Sequence, residues 1–153
     1  YCAMVARTDV GRRRDNNEDA VTIHPSAQPW PIAVLADGMG GYNAGEVASA
    51  MAISLVSVAL QSTTTEAPVA NTPQARQELQ QSLANALNLA NAAILTAAQE
   101  TPGCRGMGTT VIAAALLPGL LMLAVSWLGL WQLRRAGWDP SRLPAPRCRP
   151  CAS

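Results

Sequence analysis

Apolar positions change period several times along the chain, and each change marks an expected element. Residues 4–8 and 20–24 read as short strands, the second ended by Pro25. Residues 31–36 form a continuous apolar run, Pro-Ile-Ala-Val-Leu-Ala, as a buried strand would, and run straight into Asp37-Gly38-Met39-Gly40-Gly41. A helix is expected next. Asn43 suits its N-cap, and Glu46, three residues on, completes a capping box. Val47, Met51, Leu55 and Val58 recur at helical spacing and predict its buried face. Residues 61–73 read as a Thr/Pro/Ala-rich linker. A second helix is predicted from about Pro73, with Leu79, Leu83, Leu87, Ala90, Ile94 and Ala97 as its buried stripe and Thr101-Pro102-Gly103 as its stop. Residues 111–117 and 120–127 are apolar runs flanking Pro118-Gly119, which predicts a hairpin.

That last segment has a rival reading. Residues 109–133 carry no charge and are followed by Arg134-Arg135, which meets the length and flank criteria for a membrane helix. A Pro-Gly near the middle is tolerable there, so hydropathy leaves both readings open.

The chain has 153 residues, one domain's length, with 49% apolar and 14% charged residues, which excludes a disordered protein. A net charge of +1 argues against nucleic-acid binding by charge alone. All 11 basic residues are Arg, so Schiff-base chemistry and a Walker-type phosphate Lys are excluded. Phe is absent, leaving Ala, Leu, Val, Ile and Met to build the core. Cys148-Arg149-Pro150-Cys151 is a weak zinc or redox signal, because no second Cys/His pair stands at ligand spacing. The chain opens on Tyr1 rather than Met and so reads as a fragment, which leaves an upstream targeting segment open.

Three segments carry possible chemistry. Arg14-Asp15-Asn16-Asn17-Glu18-Asp19 places a guanidinium fork suited to phosphate before adjacent carboxylates suited to a hard cation. Asp37-Gly38-Met39-Gly40-Gly41 places a carboxylate at a strand's end in a glycine turn, where a backbone carbonyl can also reach a metal. Gly106-Met107-Gly108-Thr109-Thr110 is the third. Each has an ordinary reading in isolation, as a solvated loop or a tight turn.

Together and in this order they resemble the metal-dependent protein phosphatase 2C family in its bacterial form. The opening motif is Thr8-Asp9-Val10-Gly11 through Arg14 and Asn17-Glu18-Asp19, and the second is Ala36-Asp37-Gly38-Met39-Gly40-Gly41 with Ala44-Gly45-Glu46-Val47-Ala48-Ser49. Gly106 to Thr110 is the third, and the resemblance extends over residues 4 to about 119. It implies an α+β fold, the N-terminal part of an α-β-β-α sandwich of two antiparallel sheets flanked by helices. It also implies hydrolysis of phosphoserine and phosphothreonine on proteins, by a water activated between two Mn²⁺ or Mg²⁺ ions. By resemblance, Asp37 bridges the metals and is central to catalysis, Gly38 offers its carbonyl, Glu18 and Asp19 bound the metal site, and Arg14 holds the substrate phosphate. Met39 stands where animal members carry a His proposed as general acid, so that role is vacant. The implied partners are phosphoproteins, those of a bacterial serine/threonine kinase, in the cytoplasm, with no nucleic acid and no membrane.

The resemblance then breaks. The family's Gly-Asp-Ser-Arg is replaced at Gly129 by Leu130-Trp131-Gln132, and of the later metal-binding aspartates only Asp139 could remain. Residues 128–153 form an Arg/Pro/Trp/Cys-rich tail, expected from truncation or a frameshift, after a partial catalytic domain at 1–127. The chain as written is therefore expected to be a poor phosphatase. Its strands at 31–36 and 111–117 should be left with exposed edges and apolar faces. The alternatives are a non-catalytic pseudophosphatase and a membrane-anchored regulatory fragment.

Overall fold

The computed structural model describes residues 3–12, 15–24, 30–40, 44–63 and 71–129, the side chains of Ser62 and Thr63 excepted. Four strands form one antiparallel meander in chain order: β1 (Asp19–His24), β2 (Ile32–Met39), β3 (Gly108–Leu117) and β4 (Leu120–Leu128). Two helices, α1 (Ala44–Thr63) and α2 (Pro73–Glu100), fill the connection between β2 and β3. The fold class is α+β, as the sequence predicts.

The hairpin reading of the long apolar segment holds for the described residues. Residues 108–117 and 120–128 are paired strands, not a membrane helix. The turn is Pro118-Gly119, with Gly119 at φ +73°, a left-handed conformation that a Cβ would disfavour. Asn71 Nδ2 donates to the Pro118 carbonyl at 2.8 Å and ties this turn to the start of α2. Among the described residues one helix is long and apolar enough to span a membrane by length and hydropathy, over Ala44–Gln61, but one face of it packs on the sheet.

The strands alternate cleanly. Ile32, Val34 and Ala36 of β2 and Val111, Ala113, Ala115 and Leu117 of β3 are buried toward the helices. α1 lies over β1, β2 and β3, and α2 packs on α1 and β4. The α1 face is only partly the predicted one. Met51 and Leu55 are half-buried against the core, but Val47 and Val58 are exposed, and Ala44, Ala48, Ala52, Val56 and Leu60 form the buried row. Alanines at every fourth position let the helix axis approach the sheet closely, and larger side chains fall at the flanks.

α2 follows the prediction. Thr72 caps it, its hydroxyl accepting from the Ala75 N–H at 3.1 Å, with Pro73 in the first turn. Its buried stripe includes the predicted Leu79, Leu83, Leu87, Ala90 and Ile94, with Ala98 rather than Ala97 completing it.

Three further expectations are corrected. Residues 4–8 form no strand; residues 3–7, with Val21, Ile23, Ala33, Leu35, Ile112 and Ala114, line a groove on the sheet's outer face. Lying over a face rather than beside an edge, they extend no ladder. β2 continues through Asp37, Gly38 and Met39, so this segment is strand rather than turn. The strands at 31–36 and 111–117 are interior to the sheet, and its edges among the described residues are β1 and β4. Their outer faces are apolar as expected: Leu35, Ile112, Leu121, Leu123, Val125 and Trp127 are exposed there. Asn43, and the tail from residue 130, lie outside the described residues.

Candidate functional site

The meander brings the three chemistry-bearing segments to one end of the sheet. Asp19 opens β1 and pairs across the ladder with Asp37 near the end of β2. On the other side of β2, Asp37 pairs with Thr110, Gly38 with Thr109 and Met39 with Gly108. Residues about 70 positions apart in sequence thus meet in register. The Thr109 hydroxyl, fully buried, donates to the Asp37 carbonyl at 2.9 Å. The Gly38 N–H donates to the Glu18 carbonyl at 3.0 Å, which fixes the chain just before β1 against β2.

Asp9, Val10, Asn16, Asn17, Glu18, Asp19 and Asp37 line one cavity of about 210 Å³. Its charged lining, among the described residues, is entirely acidic, so its potential favours a cation. Cross-strand neighbours sit with Cβ atoms about 5 Å apart, so the Asp19 and Asp37 carboxylates share one small volume. No three His, Cys, Asp or Glu side chains among the described residues converge on a single ion position. The local arrangement is therefore a pair of carboxylates with flanking oxygens.

Close backbone packing shapes the site. A Cβ on Gly38 would lie 2.6 Å from the Glu18 carbonyl oxygen and closer still to that of Gly45. A Cβ on Gly45 would lie 2.7 Å from Glu18 Oε1. Strand β2, the first turn of α1 and Glu18 thus touch through two glycines. The Glu18 carboxylate rests at the N-terminal end of α1, where the helix dipole favours a negative charge.

Of the residues singled out from sequence, Glu18, Asp19 and Asp37 share the cavity, and Gly38 packs against the backbone of Glu18 without lining it. Arg14 lies outside the described residues. Asp9 and Asn16 were not singled out for the cavity. The signal for Asp9 was its place in Asp9-Val10-Gly11: its Oδ1 accepts the Gly11 N–H at 2.8 Å in an Asx turn, with Gly11 at φ +74°.

A sequence model of protein phosphatase 2C matches residues 10–129, most of the chain. The chain belongs to the protein phosphatase 2C family. Among relatives, the serine/threonine phosphatase stp of Listeria innocua is 36% identical over 118 residues, covering 77% of this chain and 44% of that protein. The protein phosphatase PhpP of Streptococcus pneumoniae is 34% identical over 110 residues, covering 72% and 41%. In structure, the chain is similar to the Mycobacterium tuberculosis serine/threonine phosphatase PstP/Ppp, with a TM-score of 0.59 and 34% identity over 78% of this chain and 44% of that one. The chain thus spans less than half the length of these relatives. The protein phosphatase 2C match ends at Gly129, one residue after β4 and where the sequence motif breaks.

Proposed function

We propose that this chain carries the N-terminal part of a metal-dependent protein phosphatase site acting on phosphoserine and phosphothreonine. The observation that supports this most is the pairing of Asp19 with Asp37 on the wall of an acidic cavity, at the end of the sheet where the three motifs converge. The serine/threonine phosphatase activity of the relatives comes to this chain as part of the proposal. Its substrates would be phosphoproteins, in this reading the products of a bacterial serine/threonine kinase.

The residues fit a hard cation. Their donors are carboxylate and carbonyl oxygens, which suit Mn²⁺ or Mg²⁺ over softer metals. Two carboxylates side by side on neighbouring strands repel each other, and a cation between them relieves that repulsion. Asp37, Asp19 and the Gly38 carbonyl would hold metal, with Glu18 at the margin through water. When bound, a pair of such ions supplies a water acidic enough to attack phosphorus and offsets charge on the phosphoryl oxygens.

The chain's own residues set the geometry. Asp37 is held by ladders on both sides and by the Thr109 hydroxyl on its carbonyl, so the backbone that presents its carboxylate is fixed. Arg14 would grip the substrate phosphate through its planar fork and offset charge as it transfers. Met39 has no titratable group, so it would not protonate the leaving serine or threonine oxygen. Hard cations of this kind need about six oxygen ligands, more than Asp19, Asp37 and Gly38 supply, so turnover by residues 1–153 alone should be slow.

That shortfall favours a second reading, a non-catalytic module that binds phosphate. The test is phosphate release from a phosphothreonine peptide with Mn²⁺, comparing the chain with Asp37→Asn. Release that disappears in Asp37→Asn supports the phosphatase. Mn²⁺-dependent peptide binding with no release supports the binding module, and absence of both overturns the two readings together.

A further inference from the structure

We propose that Thr109 is a positioning residue: its buried hydroxyl sets the peptide unit between Asp37 and Gly38, and with it the oxygens that these two residues offer to a divalent cation. This role rests on the phosphatase reading and adds to it a residue that touches no cation itself.

Thr109 is the polar member of an apolar row. On β3 the helix-facing residues are Thr109, Val111, Ala113, Ala115 and Leu117, all buried, and Thr109 is fully so. A Val there would keep the volume and the strand preference without the cost of taking a hydroxyl out of water. A hydroxyl in such a row needs a partner, and two carbonyl oxygens lie at 2.9 Å, those of Asp37 on β2 and of Thr110 on its own strand. Its one proton serves either of them or is shared. Thr109 reaches Asp37 from the helix side of the sheet, whereas Asp37 itself is exposed.

The peptide unit between Asp37 and Gly38 is planar, so its carbonyl and its N–H turn together. The carbonyl accepts the Thr109 hydroxyl from the β3 side, and the N–H donates to the Glu18 carbonyl at 3.0 Å on the β1 side. One unit is thus gripped at both ends, by a side chain of one strand and by the backbone just ahead of another. Within a strand, a residue's N–H and C=O face the same neighbour, so the Gly38 carbonyl follows its N–H toward Glu18, a cavity residue. Turning the unit would swing that carbonyl and tilt the Asp37 side chain together. Glycine resists such a turn less than any other residue, and the Thr109 hydroxyl supplies the restraint. Its loss should leave the sheet folded and lower the fraction of molecules with both oxygens correctly aimed, which lowers apparent cation affinity in proportion.

The experiment compares residues 1–153 with Thr109→Val, Thr109→Ala and Thr109→Ser. Val keeps the volume and Ala opens a cavity, so an effect common to both belongs to the lost hydroxyl. Binding is read from the electron paramagnetic resonance of free Mn²⁺. The peptide unit is read from the amide nitrogen resonance of Gly38, in metal-free chain labelled at its 11 glycines. Thr109→Val and Thr109→Ala should each weaken Mn²⁺ binding about fivefold, the worth of one ordinary hydrogen bond, and move the Gly38 resonance while that of Gly103 stays in place. Thr109→Ser should bind within twofold of the parent. Thr72→Ala, which uncaps α2 beside the Pro118 turn at the other end of β3, should melt lower yet bind like the parent. Affinity within twofold of the parent in either Thr109→Val or Thr109→Ala, an unmoved Gly38 resonance, failure of Thr109→Ser to restore binding, or an equal loss in Thr72→Ala would each overturn the positioning role. A parent that binds no Mn²⁺, with the Gly38 resonance still moved by Thr109→Val, would instead overturn the phosphatase reading and reduce Thr109 to a structural clamp.

Discussion

Replacing Gly38 by Ala should damage the fold and the site together. A methyl there would sit 2.6 Å from the Glu18 carbonyl oxygen, at least 0.8 Å short of the 3.4 Å at which ordinary contact begins, and it would overlap the Gly45 carbonyl. Both neighbours are backbone, so no side chain can swing away. Either β2 withdraws from the first turn of α1, or β1 shifts and the 3.0 Å bond from the Gly38 N–H to the Glu18 carbonyl is lost. Overpacking of this kind costs about 1–3 kcal/mol, and the broken bond adds about 1 kcal/mol. For a domain of this size, 1 kcal/mol moves Tm by about 2–4 °C, so Gly38→Ala should lower Tm by roughly 5–15 °C. The assay is thermal unfolding followed by circular dichroism, with Gly103→Ala as reference, since a Cβ at Gly103 meets nothing within 4 Å. The same variant should bind Mn²⁺ more weakly, because Asp37 is the adjacent residue. A Gly38→Ala protein melting within 1 °C of the parent, or a Gly103→Ala protein as unstable as Gly38→Ala, would refute the reasoning.

Other outcomes follow from the packing. Thr72→Ala removes the α2 cap and should cost about 1 kcal/mol, read as a lower urea midpoint with unchanged slope. Ala52→Leu forces a larger side chain into the buried α1 row and should cost about 1–3 kcal/mol, whereas Val58→Ala on the exposed side should stay within about 0.5 kcal/mol; the reverse order in a urea titration would show that the α1 face is misassigned. On the outer face of β4, Leu123 and Val125 are 57% and 63% exposed. Replacing both by Thr should reduce self-association in sedimentation velocity without lowering Tm, because strand propensity is kept while apolar surface is removed.

Much of this architecture is legible in the sequence, and the failures have identifiable causes. α2 and the Pro118-Gly119 hairpin read correctly because cap, stripe and turn residues all point the same way. The α1 face misreads at Val47 and Val58, while Met51 and Leu55 do pack at its flank, because periodicity weighted by size favours large side chains whereas the sheet selects small residues that permit close approach. Residues 4–8 have strand composition, but a strand also needs an edge to pair with, and composition carries no trace of that. The carboxylates Glu18, Asp19 and Asp37 were identifiable from motif order alone. The supporting bonds were not: that the Thr109 hydroxyl would reach the Asp37 carbonyl, or that Gly45 would abut Glu18, follows only from the register of β2 with β3 and the seating of α1.

That register has a consequence for how such a site can fail. Along β2, side chains alternate between the helix-facing core and the outer face, so Ala36 and Asp37 are separated by a single step. A slip of one residue would not merely displace Asp37. It would drive a carboxylate beneath α1 and turn Val34 and Ala36 out of the core. The apolar interior therefore acts as a proofreader for the acidic pair against one-residue slips: such a pairing misplaces the chemistry and also turns the core inside out. Misregistered chains are removed by instability before they can exist as folded, defective proteins.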